Sequence, residues 1–190
     1  MDLRKFFFKL RSYTPIPLLI LLMATAKPKL SAFLWGMALL IVGEVLRMWA
    51  VAHAGGATRT RHVGAPALVT SGPFAHMRNP LYVANTLIYV GIACLADGRL
   101  MWILTAFGFS VIQYSLIVSL EEETLRGLFG VEYRLYCKRV PRWIPKILPW
   151  EWTIPRKPDW KDAWRNEKHT RLNLILAILV FSAIWAYRTW

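Results

Sequence analysis

Residues suited to chemistry fall in two polar stretches of an otherwise apolar chain. The first stretch has a turn signal at Gly72-Pro73, followed by Arg78, Asn79 and Pro80. Pro80 suits the first turn of a helix, because its missing N–H would have no partner there, and it pushes Asn79 out of the helical region. The helix N-terminus and the Arg78 guanidinium together favour a carboxylate. The alternative is that Arg78 is a basic anchor at the headgroup boundary.

The second stretch opens with three consecutive acids, Glu121, Glu122 and Glu123, directly after an apolar segment. The chain has only 11 acidic residues, so three together at this place are unusual. An acid that faced the interior of a membrane bundle would be costly unless it met a cation. Because consecutive helical positions point in different directions, we expect some of the three to be solvated.

An apolar and aromatic stripe follows the acids. Leu125, Phe129, Tyr133 and Tyr136 are spaced by four, four and three residues, which puts them on one helix face. Such a stripe either packs against other helices or lines a pocket for a nonpolar substrate, and the spacing leaves both possibilities open.

Glu44 and Arg47 lie three residues apart inside another apolar segment, so they share a helix face. Charges within lipid pair with one another or face the protein interior. We therefore expect a structural ion pair between these two residues, with a direct role in substrate binding as the alternative.

Composition indicates where these polar groups must be held. The 190 residues are 56% hydrophobic with a mean hydropathy of +0.35, yet the net charge is +13. Apolar segments in lipid and basic segments against anionic headgroups explain both values, and ten Trp and seven Tyr suit the membrane boundary. We expect membrane lipids as partners and no nucleic acid, since the basic residues flank apolar runs. No Cys or His pattern has metal-ligand spacing, so no metal is expected.

Five apolar segments predict an all-α polytopic membrane bundle of about five transmembrane helices. They are residues 15–26, 31–52, 81–96, 100–120 and 172–187. About 20 residues are needed to cross the membrane, so the third and fifth segments need flanking residues or local thinning. The first segment is shorter still. We expect a short helix or half of a hairpin there, although its basic flank and Ala24-Thr25-Ala26 also resemble a cleavable signal.

The distribution of basic residues predicts the orientation. If the N-terminus is cytoplasmic and all five segments cross, 19 of the 24 Lys and Arg residues lie on the cytoplasmic side and 4 on the other, with Arg47 inside a segment. Cytoplasmic loops carry such an excess. We therefore expect a cytoplasmic N-terminus and an active site built from the two long inner stretches, residues 53–80 and 121–171.

The motifs, taken in their order and spacing, resemble the isoprenylcysteine carboxyl methyltransferase family, which is related to the phospholipid N-methyltransferases. They are Leu68-Val69-Thr70-Ser71-Gly72-Pro73-Phe74, Arg78-Asn79-Pro80-Leu81-Tyr82, Glu121-Glu122, Phe129-Gly130, Tyr133, Tyr136 and Val140-Pro141. The matching core covers residues 42–145 of a single domain, 1–190. We expect an extra helix at 172–187, outside this core.

The resemblance implies an S-adenosylmethionine (SAM)-dependent methyltransferase with a cytoplasmic cofactor site and a hydrophobic or lipid-like acceptor, carboxyl O-methylation being favoured. It implies that SAM is bound by Leu68, Val69, Phe74, Asn79, Pro80, Leu81, Tyr82 and Glu121. It places Arg78 and Glu122 at the reaction centre. The family's usual histidine is Asn79 here, which changes any contact made by the ring. An NADPH-dependent membrane reductase of the sterol type and a non-catalytic membrane scaffold are the alternatives.

Overall fold

The computed structural model describes residues 2–55, 64, 67–151 and 155–189, and the regular structure within these ranges is entirely helical. The helices are α1 (Leu3–Leu10), α2 (Ile16–Thr25), α3 (Leu30–Ala54), α4 (Pro80–Ala96), α5 (Leu100–Arg139), α6 (Trp160–Asn166) and α7 (Lys168–Thr189). A short 3₁₀ helix covers Gly72–Ala75. The predicted all-α class is confirmed for the described ranges.

Three helices are long and apolar enough to cross a membrane, namely α3, α5 and the Lys168–Arg188 part of α7. Two shorter apolar helices, α2 and α4, accompany them. At 1.5 Å per residue α4 extends about 26 Å and α2 about 15 Å. All five predicted apolar segments are thus helical, and the first is a short helix. How many of them cross the membrane stays a prediction.

Small residues bring the backbones of α3 and α4 close together. A Cβ on Gly36 would lie 2.8 Å from the carbonyl oxygen of Gly91, and one on Gly43 would lie 3.0 Å from that of Ala84. Small residues at helix crossings let backbones approach in this way. The contact fixes α4 against α3 and so sets where α4 begins.

The α2–α3 connection and the α4–α5 connection are short and lie at the same end of the bundle. Lys27 N–H, in the connection between α2 and α3, donates to the carbonyl oxygen of Ala96 at the end of α4 (2.8 Å). Since α4 begins at Pro80, the stretch before it lies at the opposite end. This opposite end of the bundle, where α4 begins, is the site end.

The segment after α5 folds back onto the site end. Three backbone hydrogen bonds hold it: Arg78 N–H to Pro141 O (2.8 Å), Lys146 N–H to His76 O (3.1 Å) and Trp150 N–H to Ala75 O (3.0 Å). The two long polar stretches predicted to build a site are therefore in direct contact.

The predicted ion pair between Glu44 and Arg47 is wrong. Arg47 instead donates from Nε and Nη2 to Oε2 of Glu167, at 3.1 and 2.9 Å, and from Nη1 to Oδ1 of Asn85. Glu167, between α6 and α7, is completely buried, and a buried carboxylate is costly unless a cation and hydrogen bonds compensate it. Both carboxylate oxygens of Glu44 are buried without a hydrogen-bond partner.

The close contact of α3 and α4 gives a stability prediction. Gly36→Ala should lower the free energy of unfolding by about 1–3 kcal/mol, because the new methyl group overlaps the α4 backbone. Gly108→Ala is the matched control, since a Cβ there meets nothing within 4 Å and alanine is the better helix former. Thermal unfolding in detergent measures both. Equal melting temperatures for the two variants would contradict the packing described.

Candidate active site

A cavity of about 160 Å³ lies at the site end and opens to solvent. Its wall is built by α1, the stretch before α4, the first turn of α4 and the part of α5 that follows the apolar segment. All ten predicted site residues lie in this wall: Leu68, Val69, Phe74, Arg78, Asn79, Pro80, Leu81, Tyr82, Glu121 and Glu122. The structure thus brings them together, while the separate role of each stays a prediction.

The three consecutive acids of α5, Glu121, Glu122 and Glu123, point in three directions, as their spacing predicts. Glu121 lines the cavity, and its Oε1 accepts a hydrogen bond from Tyr82 Oη at 2.7 Å. Glu122 is buried, with its side chain 2% exposed. Glu123 is solvated and forms an ion pair with Arg4 at 2.6 Å. Two carboxylates therefore line the cavity. Glu121 is held by Tyr82, and Glu122 is held by other groups.

Those other groups are arginines. Arg142 donates from Nε to Glu122 Oε1 (3.1 Å) and from Nη2 to Oε2 (2.5 Å), and Arg126 Nη2 lies 3.2 Å from Oε2. Arg78 Nε lies 3.6 Å from Oε1. The hydrogen bonds to Glu122 raise the pKa of Arg142 above its ordinary value. Glu122 thereby joins α5, the stretch before α4 and the segment after α5.

Arg78 combines a fixed backbone with an incompletely satisfied side chain. Its N–H donates to Pro141 O, and its side chain is only 12% exposed. Its Nε is buried without a hydrogen-bond partner. Arg78 lines the cavity, and a guanidinium binds a carboxylate with two parallel hydrogen bonds. The wall can therefore hold an anionic group.

The turn at Gly72 is fixed from two sides. Gly72 has φ +60°, and a Cβ there would lie 2.4 Å from the ring of His53 at the end of α3. His53 Nδ1 is 3.0 Å from Ser71 Oγ. On the other side, Tyr136 Oη donates to the carbonyl oxygen of Phe74 at 2.8 Å. The turn therefore holds Phe74 in the cavity wall.

Asn79, which replaces the histidine expected from the resemblance, has a structural bond. Its Nδ2 donates to the carbonyl oxygen of Arg142 at 3.2 Å. The amide thus holds the segment after α5 beside the first turn of α4, and a neutral amide does this at any pH.

The apolar and aromatic stripe on α5 serves both of the uses considered for it. All four residues pack in the apolar cluster around Leu68, and three of them, Leu125, Tyr133 and Tyr136, also line the cavity.

Two cavity residues, Phe8 and Arg11, were missed by the sequence reasoning. They belong to α1 and its C-terminal end, which had been interpreted as a basic flank. The Arg11 guanidinium lies 4.2 Å above the Phe8 ring, and Phe8 is 5% exposed. The signal available was the separation of phenylalanines from lysines on opposite faces of residues 3–10, which is typical of an amphipathic helix.

Comparison with known families identifies the core. The phospholipid methyltransferase family model matches residues 31–132, more than half of the chain. The chain belongs to this family. The matched residues include α3, α4, the turn at Gly72 and the acids of α5, whereas α1 and α7 lie outside them. With three helices of membrane-spanning length, the chain is an integral membrane protein.

One of three curated relatives is named as a methyltransferase, and two are named as metal-resistance proteins. The chain is 30% identical over 120 residues to protein-S-isoprenylcysteine O-methyltransferase B of Arabidopsis thaliana, covering 60% of this chain and 59% of that protein. It is 29% identical over 112 residues to the cobalt-zinc-cadmium resistance protein CzcN of Cupriavidus metallidurans (59% and 47%). It is 28% identical to the nickel-cobalt-cadmium resistance protein NccN of Alcaligenes xylosoxydans xylosoxydans (59% and 49%). The chain spans about half the length of these relatives. No solved structure matches it significantly.

The arginine cluster around Glu122 predicts that neutralising Glu122 lowers the melting temperature more than neutralising its neighbour Glu123. Glu122→Gln should lower the melting temperature by roughly 6 °C or more, because three guanidinium groups lose their buried counter-charge. Glu123→Gln removes an exposed ion pair and should change the melting temperature little. Thermal unfolding of both variants measures the difference. A Glu122→Gln variant as stable as Glu123→Gln would mean that the cluster does not hold the site end together.

Proposed function

We propose that the chain transfers a methyl group from SAM to a hydrophobic or lipid-like acceptor at the cytoplasmic face of the membrane, with a carboxyl oxygen as the favoured acceptor atom. One observation carries this proposal. A single cavity in the family-matched core is lined by an accessible acid, Glu121, and by a guanidinium with an unsatisfied nitrogen, Arg78.

The chemistry of the cavity wall fits SAM. Glu121 suits a cationic or hydroxyl group of the cofactor, and Arg78 suits its carboxylate. Apolar side chains of Leu68, Leu81 and Leu125 supply contact area between these two charges. Ligand pockets usually measure about 300–1,000 Å³, so a bound cofactor would fill the enclosed space and extend into the mouth. When bound, SAM supplies a methyl group attached to a cationic sulfur.

The contribution of the protein is to position the reactants and to exclude water. Methyl transfer is an in-line displacement, so alignment of acceptor and methyl carbon supplies much of the rate. Phe8 on one side and Tyr133 and Tyr136 on the other are buried against the cavity. These aromatic side chains keep water from the reacting atoms.

The engagement of both acids favours an acceptor that needs no base. Glu121 accepts from Tyr82, and Glu122 is occupied by arginines. Within the described part of the chain, no other acid and no histidine lines this cavity. An amine must lose a proton to be methylated, whereas a carboxylate is already a nucleophile. The wall therefore suits an anionic acceptor better than a protonated amine.

Two alternatives make different demands. A membrane reductase of the sterol type must bind NADPH. A non-catalytic scaffold should tolerate Ala at Arg78 and at Glu121 without loss of function. The reported names of the metal-resistance relatives do not separate these possibilities, because they describe a phenotype and not a reaction.

Calorimetric titration of the purified protein with SAM, its demethylated product S-adenosylhomocysteine and NADPH tests the proposal. We expect binding of the first two only, and about tenfold or more weaker SAM binding by Glu121→Gln, because an acid that meets a cation is replaced by a neutral amide. Glu123→Gln, next to it but solvated, should bind SAM like the parent protein. Binding of NADPH alone would refute the methyltransferase assignment, and undiminished SAM binding by Glu121→Gln would refute the role of that acid.

A further inference from the structure

A second cavity, of about 450 Å³, lies between the last turns of α5 and the segment that follows them. No described residue lines both this cavity and the candidate cofactor cavity. The described lining residues all fall within residues 135–151, outside the residues 31–132 that match the family. What this second cavity binds is therefore a question separate from methyl transfer.

Two cations in the wall of the second cavity lack a counter-charge. Arg139 and Lys146 line it, and neither side chain forms an ion pair within the described ranges. Arg142, which lies between them in sequence, is by contrast bound to Glu122. Glu151 is the one acid among the described lining residues, and it is exposed. Two cations against one exposed acid give the wall a positive charge, which favours an anion.

Exposed aliphatic side chains adjoin these cations. Ile144, Ile147 and Leu148 are 79%, 93% and 77% exposed, and Leu148 also lines the cavity. Aliphatic side chains as exposed as these, close together in one segment, mark a surface that contacts a membrane or a partner. Residues 133–150 contain five cations and no acid. An apolar surface bordered by cations matches the headgroup layer of an anionic membrane, because both halves of that surface find a partner there.

The cavity lies at the level where the apolar part of α5 ends. Glu121, directly after that part, accepts a hydrogen bond from Tyr82 in the first turn of α4. Lys146 is bonded just before that turn through both of its backbone groups: its N–H donates to His76 O (3.1 Å), and its carbonyl oxygen accepts from His76 Nδ1 (2.9 Å). With α5 across the membrane, the cavity therefore lies at headgroup depth.

We propose that the second cavity binds the head of an anionic phospholipid, with Arg139 and Lys146 on the phosphate oxygens and with Leu148 and Trp150 against the glycerol and the upper acyl chain. The ring of Trp150 packs on that of Tyr136, 5.6 Å between centroids, and is fixed in this position. A zwitterionic head carries an ammonium group that the two cations repel, so the site selects against it. The lipid is bound and not methylated, and the site does not depend on the proposed reaction.

Native mass spectrometry of the full chain in neutral detergent tests the proposal by counting bound lipids. The probes are phosphatidylglycerol and phosphatidylcholine with the same acyl chains, and inorganic phosphate is the water-soluble competitor. We expect phosphatidylglycerol to bind about tenfold or more tightly than phosphatidylcholine. The double variant Arg139→Gln/Lys146→Gln should lose this preference. Inorganic phosphate should not displace the lipid, because it has no apolar part for Leu148 and Trp150 to contact.

Two further variants separate a built site from diffuse attraction. Arg134→Gln/Lys138→Gln is the matched control, because these exposed cations lie on the same part of α5, outside the described lining, and the same charge is lost. This control should keep the preference. Glu151→Gln removes the acid of the wall and should raise the affinity for phosphatidylglycerol severalfold. It tests the site independently if melting temperatures show that the double variant at Arg139 and Lys146 is not folded.

Each of the following results would overturn the proposal. Equal binding of the two lipids by the parent protein would show that the head charge is not read. A preference that survives Arg139→Gln/Lys146→Gln, or one that the control loses equally, would place the attraction elsewhere. Displacement by inorganic phosphate would indicate a site for a free anion. An affinity for phosphatidylglycerol that does not rise in Glu151→Gln would show that the head does not lie in this cavity.

Discussion

The buried carboxylate of Glu122 is the constraint on which the site end depends. Arg78, Arg126 and Arg142 reach it from three separate parts of the chain. Burying a carboxylate is costly unless cations and hydrogen bonds compensate it, so these segments cannot separate without exposing an unpaired charge. Backbone hydrogen bonds between the segment after α5 and the stretch before α4 lie beside this charge cluster and join the same two segments.

The same constraint shapes the chemistry available to the cavity. Guanidinium groups of Arg126 and Arg142 occupy both carboxylate oxygens of Glu122, so these oxygens are not available to a ligand. Of the two neighbouring acids, Glu122 therefore organises the wall, and Glu121 is the acid that a ligand can reach. In the proposed reaction the protein works through placement and fixed charge, which suits a displacement in which opposite charges neutralise each other.

Sequence rules that concern neighbouring residues predicted the features that depend only on local backbone geometry. The start of α4 at Pro80 and the divergence of the three acids follow from proline geometry and helical periodicity, and both are observed. The partner of Arg47 could not be predicted in this way, because Glu167 lies 120 residues further along the chain. The contribution of Phe8 was missed for a related reason. A helix of eight residues gives a short pattern, and only its packing against α5 shows that it faces the cavity.

The length of α5 has a consequence for where ligands can come from. Glu121 lies 21 residues after Leu100, which is about 32 Å along the helix. The hydrocarbon layer of a membrane is ~30 Å thick. If α5 enters the hydrocarbon at its first residue and runs along the membrane normal, Glu121 reaches the depth at which hydrocarbon gives way to headgroups and water. At this depth a water-soluble molecule and a lipid-soluble one can meet, and neither has to leave the phase in which it dissolves.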